Sequence, residues 1–104
     1  MPTRALPLLP LLLAIVGLPL AFSMVPPNGV YGVRTASTLA SPSAWYSANL
    51  SAGITAVVLG LAGTAFVAVL SQRASIPDGA KVVAAVATTV FVAAATAVAG
   101  LVSA

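Results

Sequence analysis

Ionisable side chains are nearly missing from this chain. Its 104 residues contain no cysteine, no histidine and no glutamate, and Asp78 is the one carboxylate. Without cysteine there is no thiolate nucleophile or thiolate-bound metal. Without histidine or a second acid, neither a nucleophile–base pair nor a set of metal ligands can be assembled. We therefore expect no enzyme activity and no cofactor.

The scarcity of charge also excludes a water-soluble domain. Only 5% of the residues are charged and 61% are hydrophobic, and the mean hydropathy is +1.15. Soluble domains carry about 25% charged residues, and a domain this small exposes most of its surface. Four cations are too few and too scattered for nucleic-acid binding. The composition predicts one membrane domain, residues 1–104, with the lipid bilayer as its surroundings.

The positions of the charges define the spans. The five charged residues are Arg4, Arg34, Arg73, Asp78 and Lys81. Between them lie stretches long enough to cross a bilayer, which takes about 20 apolar residues. The predicted spans are residues 5–25, 50–70 and 82–103. The expected fold class is all-α, a small integral membrane bundle of three transmembrane helices.

The first span allows a second interpretation. Pro19 lies inside it and should kink the helix or leave the carbonyl of Ile15 unpaired. Arg4, the apolar run and the small residues Ala21 and Ser23 also resemble a secretory signal with its cleavage site. If that segment were removed, two spans would remain.

The basic residues predict the orientation. Positive residues favour the cytoplasmic side in short loops. With three spans, Arg4, Arg73 and Lys81 share one side and Arg34 stands alone on the other. We expect a multi-pass protein of the plasma membrane with a cytoplasmic N-terminus, residues 26–49 outside and the C-terminus outside.

Small residues predict how the helices touch, since close backbone approach drives helix association in lipid. Two rows recur at every fourth position. The second span has Ala48, Ala52, Ala56, Gly60, Thr64 and Ala68, and the third has Ala85, Thr89, Ala93 and Ala97. We expect the two rows to meet, although an alanine-rich chain shows such rows by chance. The same faces would suit a homo-oligomer.

The local sequence predicts where two of the helices begin. Pro77, Asp78 and Gly79 have turn chemistry, and Asp78 is a candidate cap of the third helix. Ser41 is a good N-cap and Pro42 fits the first helical position. A helix from Pro42 to Leu70 would extend about 43 Å, so its first two turns should leave the ~30 Å hydrocarbon core.

The polar passage before this helix holds the candidate site. Trp45 and Asn49 lie one helical turn apart and share a face. Trp45 is typical of an interfacial anchor, and Asn49 should bond another helix or loop. Arg34 should donate to helix or loop carbonyls, because a buried Arg without partners is costly. This stretch is either a polar lid over the helix ends or a recognition surface.

The same passage resembles the signature of SdpI-type membrane proteins, which are bacterial immunity proteins against a toxin peptide. That pattern runs Gly-aliphatic-Arg-Thr, then Thr, Ser, Trp, Ala-Asn and Gly at fixed offsets. The residues that match are Tyr31, Gly32, Val33, Arg34, Thr35, Thr38, Ser41, Ala44, Trp45, Ala48, Asn49 and Gly53. The spacing agrees throughout residues 31–53.

Two departures from the pattern remove charge. Members often have an acidic residue just before the Trp, where this chain has Ser43 and Ala44, and a basic residue after the Asn, where it has Leu50. Any ion pair that the motif makes elsewhere is therefore in doubt here. The resemblance implies a bacterial protein with a role in toxin immunity or membrane stress, whose partner is a toxin peptide or a regulatory protein.

Three functions can be weighed on these residues. The first is binding or sensing of a membrane-active peptide, with Arg34 as a fixed charge, Trp45 as an aromatic contact and Asn49 fixing the geometry. Thr35, Thr38 and Ser41 would shape the loop. The alternative is a holin-like pore former, which suits a small chain with several spans. A proton-coupled transporter is disfavoured, because none of the spans contains an ionisable residue.

Overall fold

The bundle is built from α-helices. The computed structural model describes residues 3–28 and 31–103, and no strand occurs within them. The elements are a short 3-10 helix at Thr3–Ala5 and the helices α1 (Leu8–Ala21), α2 (Ala36–Ala40), α3 (Pro42–Ser71) and α4 (Asp78–Ser103). Three segments are long and apolar enough to span a membrane: Thr3–Ala21, Pro42–Ser71 and Asp78–Ser103. The predicted fold class is confirmed.

The central helix α3 starts where its sequence predicts. The Ser41 hydroxyl accepts from the backbone N–H of Ala44 at 3.1 Å, and Pro42 occupies the first turn. α3 has 30 residues, about 45 Å at 1.5 Å each, in a molecule 51 Å long. Because the hydrocarbon core is only ~30 Å thick, one end of α3 extends beyond it. We call the end that carries residues 22–28 and 31–45 the motif end, and the other the turn end.

The first span ends at Ala21, four residues before the predicted limit. Ser23 adopts a left-handed conformation, φ 54°, its N–H bonds the carbonyl of Leu20, and the N–H of Met24 bonds that of Pro19. This is the Schellman termination of a helix. The sequence does not predict this helix end, because the left-handed position is usually occupied by glycine and here it is Ser23. Pro19 is accommodated inside α1.

The connection between α3 and α4 is braced by Lys81. Asp78 is the first residue of α4 and lies in its first turn rather than before it as a cap. The side chain of Lys81 is 8% exposed, and its ammonium donates to the carbonyl of Ser71 at 3.1 Å. The Asp78 carboxylate lies 3.8 Å away and is exposed. The ammonium of Lys81 thus compensates the partial negative charge at the C-terminal end of α3.

Glycine permits the close approach of α1 and α3. A Cβ on Gly53 would lie 2.7 Å from the carbonyl carbon of Leu20. One on Gly60 would lie 2.8 Å from the Cβ of Ala14, and one on Gly17 2.7 Å from the Cβ of Ala56. α1 therefore packs directly against the small residues of α3.

The predicted meeting of the two small-residue rows is only partly correct. Ala52 of α3 does approach Gly100 of α4, and Ala85 is buried. Ala93 and Ala97, however, are exposed. Within the α3 row, Ala56 and Gly60 pack on Gly17 and Ala14 of α1 instead, where small side chains allow the two backbones to approach.

Candidate functional site

Asn49 holds the motif loop by its backbone. Its carboxamide oxygen accepts from the N–H of Val33 at 2.5 Å, and its NH₂ group donates to the Val33 carbonyl at 3.3 Å. The same NH₂ group donates to the carbonyl of Trp45 at 2.9 Å. The side chain is 2% exposed. One amide therefore satisfies both polar groups of Val33, as a neighbouring strand would.

Trp45 is buried beneath the loop, not placed at the lipid surface. It has no exposed area, and its indole N–H donates to the carbonyl of Val25 at 2.8 Å. Gly32 lies against the ring: a Cβ there would stand 3.2 Å from Cζ2 and Cη2 of Trp45. The expected interfacial anchor is thus a support for Val25 and Gly32 of the loop.

Thr35 and Thr38 form a capping box at the start of α2. The N–H of Thr35 donates to the Thr38 hydroxyl at 2.7 Å, and the N–H of Thr38 donates to the Thr35 hydroxyl at 3.1 Å. The Thr38 hydroxyl also lies 2.9 Å from the carbonyl of Val33, as a donor. These bonds fix the backbone on both sides of Arg34.

The Val33 side chain fits between α3 and α4. A Cβ on Gly100 would lie 2.5 Å from Cγ2 of Val33 and 3.3 Å from the Cβ of Ala52. Gly100 therefore leaves the room that Val33 occupies. Sequence reasoning missed this role, because a glycine near the end of an apolar span carries no signal of its partner.

Tyr31 joins the loop to α1. Its hydroxyl donates to the carbonyl of Val16, and its N–H donates to the side-chain oxygen of Asn28 at 2.6 Å. Burial raises the pKa of the Tyr31 hydroxyl above its ordinary value, so this donor stays protonated at neutral pH. Pro19 has no N–H and therefore leaves the carbonyl of Ile15 without its usual helical donor. The Val16 carbonyl that Tyr31 bonds is the next one along the helix.

Arg34 lies in this loop with its side chain exposed. The hydrogen bonds and ion pairs found among residues 3–28 and 31–103 leave its guanidinium without a partner, so the expected bonds to carbonyls are not formed. The structure brings Tyr31, Gly32, Thr35, Thr38, Trp45 and Asn49 together around its backbone. Ser41 serves as the cap of α3, and Gly53 lies at the crossing with α1.

These features define the class of protein: a small multi-pass α-helical membrane protein whose polar loop is fastened over one end of the bundle. A model of the SdpI/YfhL protein family matches residues 24–103. The chain belongs to this family, as its loop motif suggested. No curated protein and no solved structure matches it significantly. The matched segment contains the loop, α2, α3 and α4, and α1 precedes it.

Proposed function

We propose that this protein binds a membrane-active peptide at its motif end and thereby gives immunity to it or senses it. The motif end faces outward from a bacterial plasma membrane, and the N-terminus is cytoplasmic. The action is binding rather than bond-breaking chemistry. This proposal rests on family membership and on the geometry of the loop.

The observation that carries the proposal is the contrast between Arg34 and its neighbours. Thr38, Trp45 and Asn49 are buried and hydrogen-bonded, whereas Arg34, in the loop that they hold, is exposed. Because the backbone on both sides of Arg34 is already fixed, binding has to order only its side chain, which lowers the entropic cost of association. Arginine also pairs well with carboxylates.

The motif end, which carries Arg34, suits an apolar peptide with a carboxylate. Phe22, Met24 and Leu39 are 70%, 71% and 52% exposed there. No acidic residue occurs in residues 22–50 to compete for the arginine. In this scheme Trp45 and Asn49 position the loop, and the contact to the ligand is made by Arg34 and by exposed apolar residues of the motif end.

Protection of living cells tests the proposal. The protein is expressed in a sensitive bacterium, which is then challenged with a panel of membrane-active peptides. We expect the wild type to raise the inhibitory concentration of at least one peptide, and Arg34→Gln to reduce this protection about tenfold, the usual value of one charge-assisted bond. Arg73→Gln, which removes an exposed cation at the turn end, is the matched control.

Two results would overturn the proposal. One is full protection by Arg34→Gln at equal expression. The other is growth arrest with dye leakage on overexpression and no protection from any peptide, which would favour the holin-like alternative.

A further inference from the structure

A cleft separates α1 from α4 at the motif end of the bundle. α1 forms one wall with Leu13 and Val16, α4 forms the other with Ala93 and Ala97, and α3 provides the floor. Gly32 and Val33 of the motif loop also line the cleft. Its volume is about 250 Å³. The loop that carries Arg34 therefore borders a cleft between the spanning helices.

The lining of this cleft suits hydrocarbon. The hydroxyl of Thr96, its one polar side chain, is already bonded to the carbonyl of Val92 at 2.8 Å. Val16, Ala93 and Ala97 are exposed on its walls, within segments that span the membrane. A void beside acyl chains and without free polar groups is filled by an apolar chain rather than by water.

The charge at this end of the bundle indicates which kind of molecule would supply the apolar chain that fills the cleft. Arg34 follows Val33, a residue of the cleft lining, directly in the chain, and it is the one charged residue between Arg4 and Arg73. Arginine forms strong, often bidentate hydrogen bonds with phosphate oxygens. We propose that the cleft holds one acyl chain of an anionic phospholipid whose phosphate pairs with Arg34. This lipid occupies the site in the resting protein, and a peptide carboxylate would compete with it.

Lipid retention by the purified protein tests this inference without any peptide. The full chain, delipidated in detergent, is mixed with equal amounts of dioleoylphosphatidylglycerol and dioleoylphosphatidylcholine, and bound lipid is counted by native mass spectrometry. We expect one phosphatidylglycerol per protein in preference to phosphatidylcholine. Arg34→Gln should reduce that preference about tenfold, and Ala97→Leu, which fills the cleft from an exposed position, should abolish retention of both lipids.

Two control variants distinguish lipid binding in the cleft from lipid binding elsewhere on the protein surface. Ala65→Leu adds the same side chain on an exposed face of α3 outside the cleft, and Arg73→Gln removes a cation at the turn end; both should bind as the wild type does. Equal retention of the two lipids by the wild type would overturn the inference, as would unchanged retention in Ala97→Leu. Loss of peptide protection in Ala97→Leu with unchanged lipid retention would assign the cleft to the peptide instead.

Discussion

Gly32 is the residue on which the geometry of the loop depends most directly. Its φ of +109° lies where side chains are strained. A Cβ at this position would stand 2.7 Å from the side-chain oxygen of Asn49 and 3.2 Å from the Trp45 ring. Conformation and space therefore both require glycine, and an added methyl group would press on the two side chains that hold Val33.

Substitution of this glycine should weaken the fold. We expect Gly32→Ala to lower the free energy of unfolding by at least about 1–3 kcal/mol from backbone strain, measured by thermal unfolding in detergent. Trp45 is the single tryptophan and is buried against Gly32, so its fluorescence reports on the loop. Gly79 has no neighbour within 4 Å of an added Cβ. Gly79→Ala should be neutral or stabilise α4 by up to ~1 kcal/mol; equal effects of the two changes would contradict this account.

At the scale of the elements, α3 and α4 are tied at both ends by polar contacts. At the turn end, Lys81 bonds the carbonyl of Ser71. At the motif end, the hydroxyl of Ser103 donates to that of Ser51 at 2.8 Å, and the hydroxyl of Ser47 lies 3.3 Å from the Ser103 carbonyl. α1 is held differently, by close backbone packing and by Tyr31. The two interfaces of α3 therefore depend on different interactions.

At the turn end, the contact between α3 and α4 should depend on the hydrogen bond from Lys81 to Ser71 rather than on the ion pair of Lys81 with Asp78. Lys81→Met removes a charged donor from the part-buried carbonyl of Ser71 and should lower the free energy of unfolding by about 1.5–3 kcal/mol. Asp78→Asn should cost less than about 1 kcal/mol, since that carboxylate is exposed. Chemical unfolding in mixed micelles measures both, with Arg73→Met as a control for loss of a cation. A larger effect of Asp78→Asn would show that the ion pair is the brace.

Sequence predicted the elements whose signals are local. Ser41 and Pro42 define the start of α3 by capping chemistry alone, and the offsets of the motif identified the residues of the loop. The burial of Trp45 could not be predicted, because it depends on contacts with Val25 and Gly32, which precede the helix in the chain. The packing of the small-residue row on α1 was missed for a similar reason: several partners fit such a row, and backbone positions far apart in the chain decide among them.

At the scale of the whole molecule, orientation in the membrane decides which end meets a ligand from outside. Three spanning segments put the motif end and the turn end on opposite sides. The basic residues Arg4, Arg73 and Lys81 favour the turn end for the cytoplasm. Because the chain has no cysteine, single introduced cysteines can report each side without interference.

Labelling in intact cells should reveal this orientation. Ser43 and Ser75 are exposed at the motif end and in the α3–α4 connection. We expect Ser43→Cys to react with a membrane-impermeant maleimide in intact cells, and Ser75→Cys to react only after permeabilisation. The cysteine-free wild type is the blank, and the opposite pattern would reverse the proposed topology.

The loop at the motif end touches every transmembrane helix: Tyr31 bonds α1, Asn49 of α3 bonds Val33, and the Val33 side chain lies against Gly100 of α4. Helices tilt when the bilayer becomes thinner or thicker. Any such tilt would move these three anchor points relative to one another, and closely packed contacts transmit strain. A change in bilayer thickness that tilted the helices would therefore shift the backbone that carries Arg34.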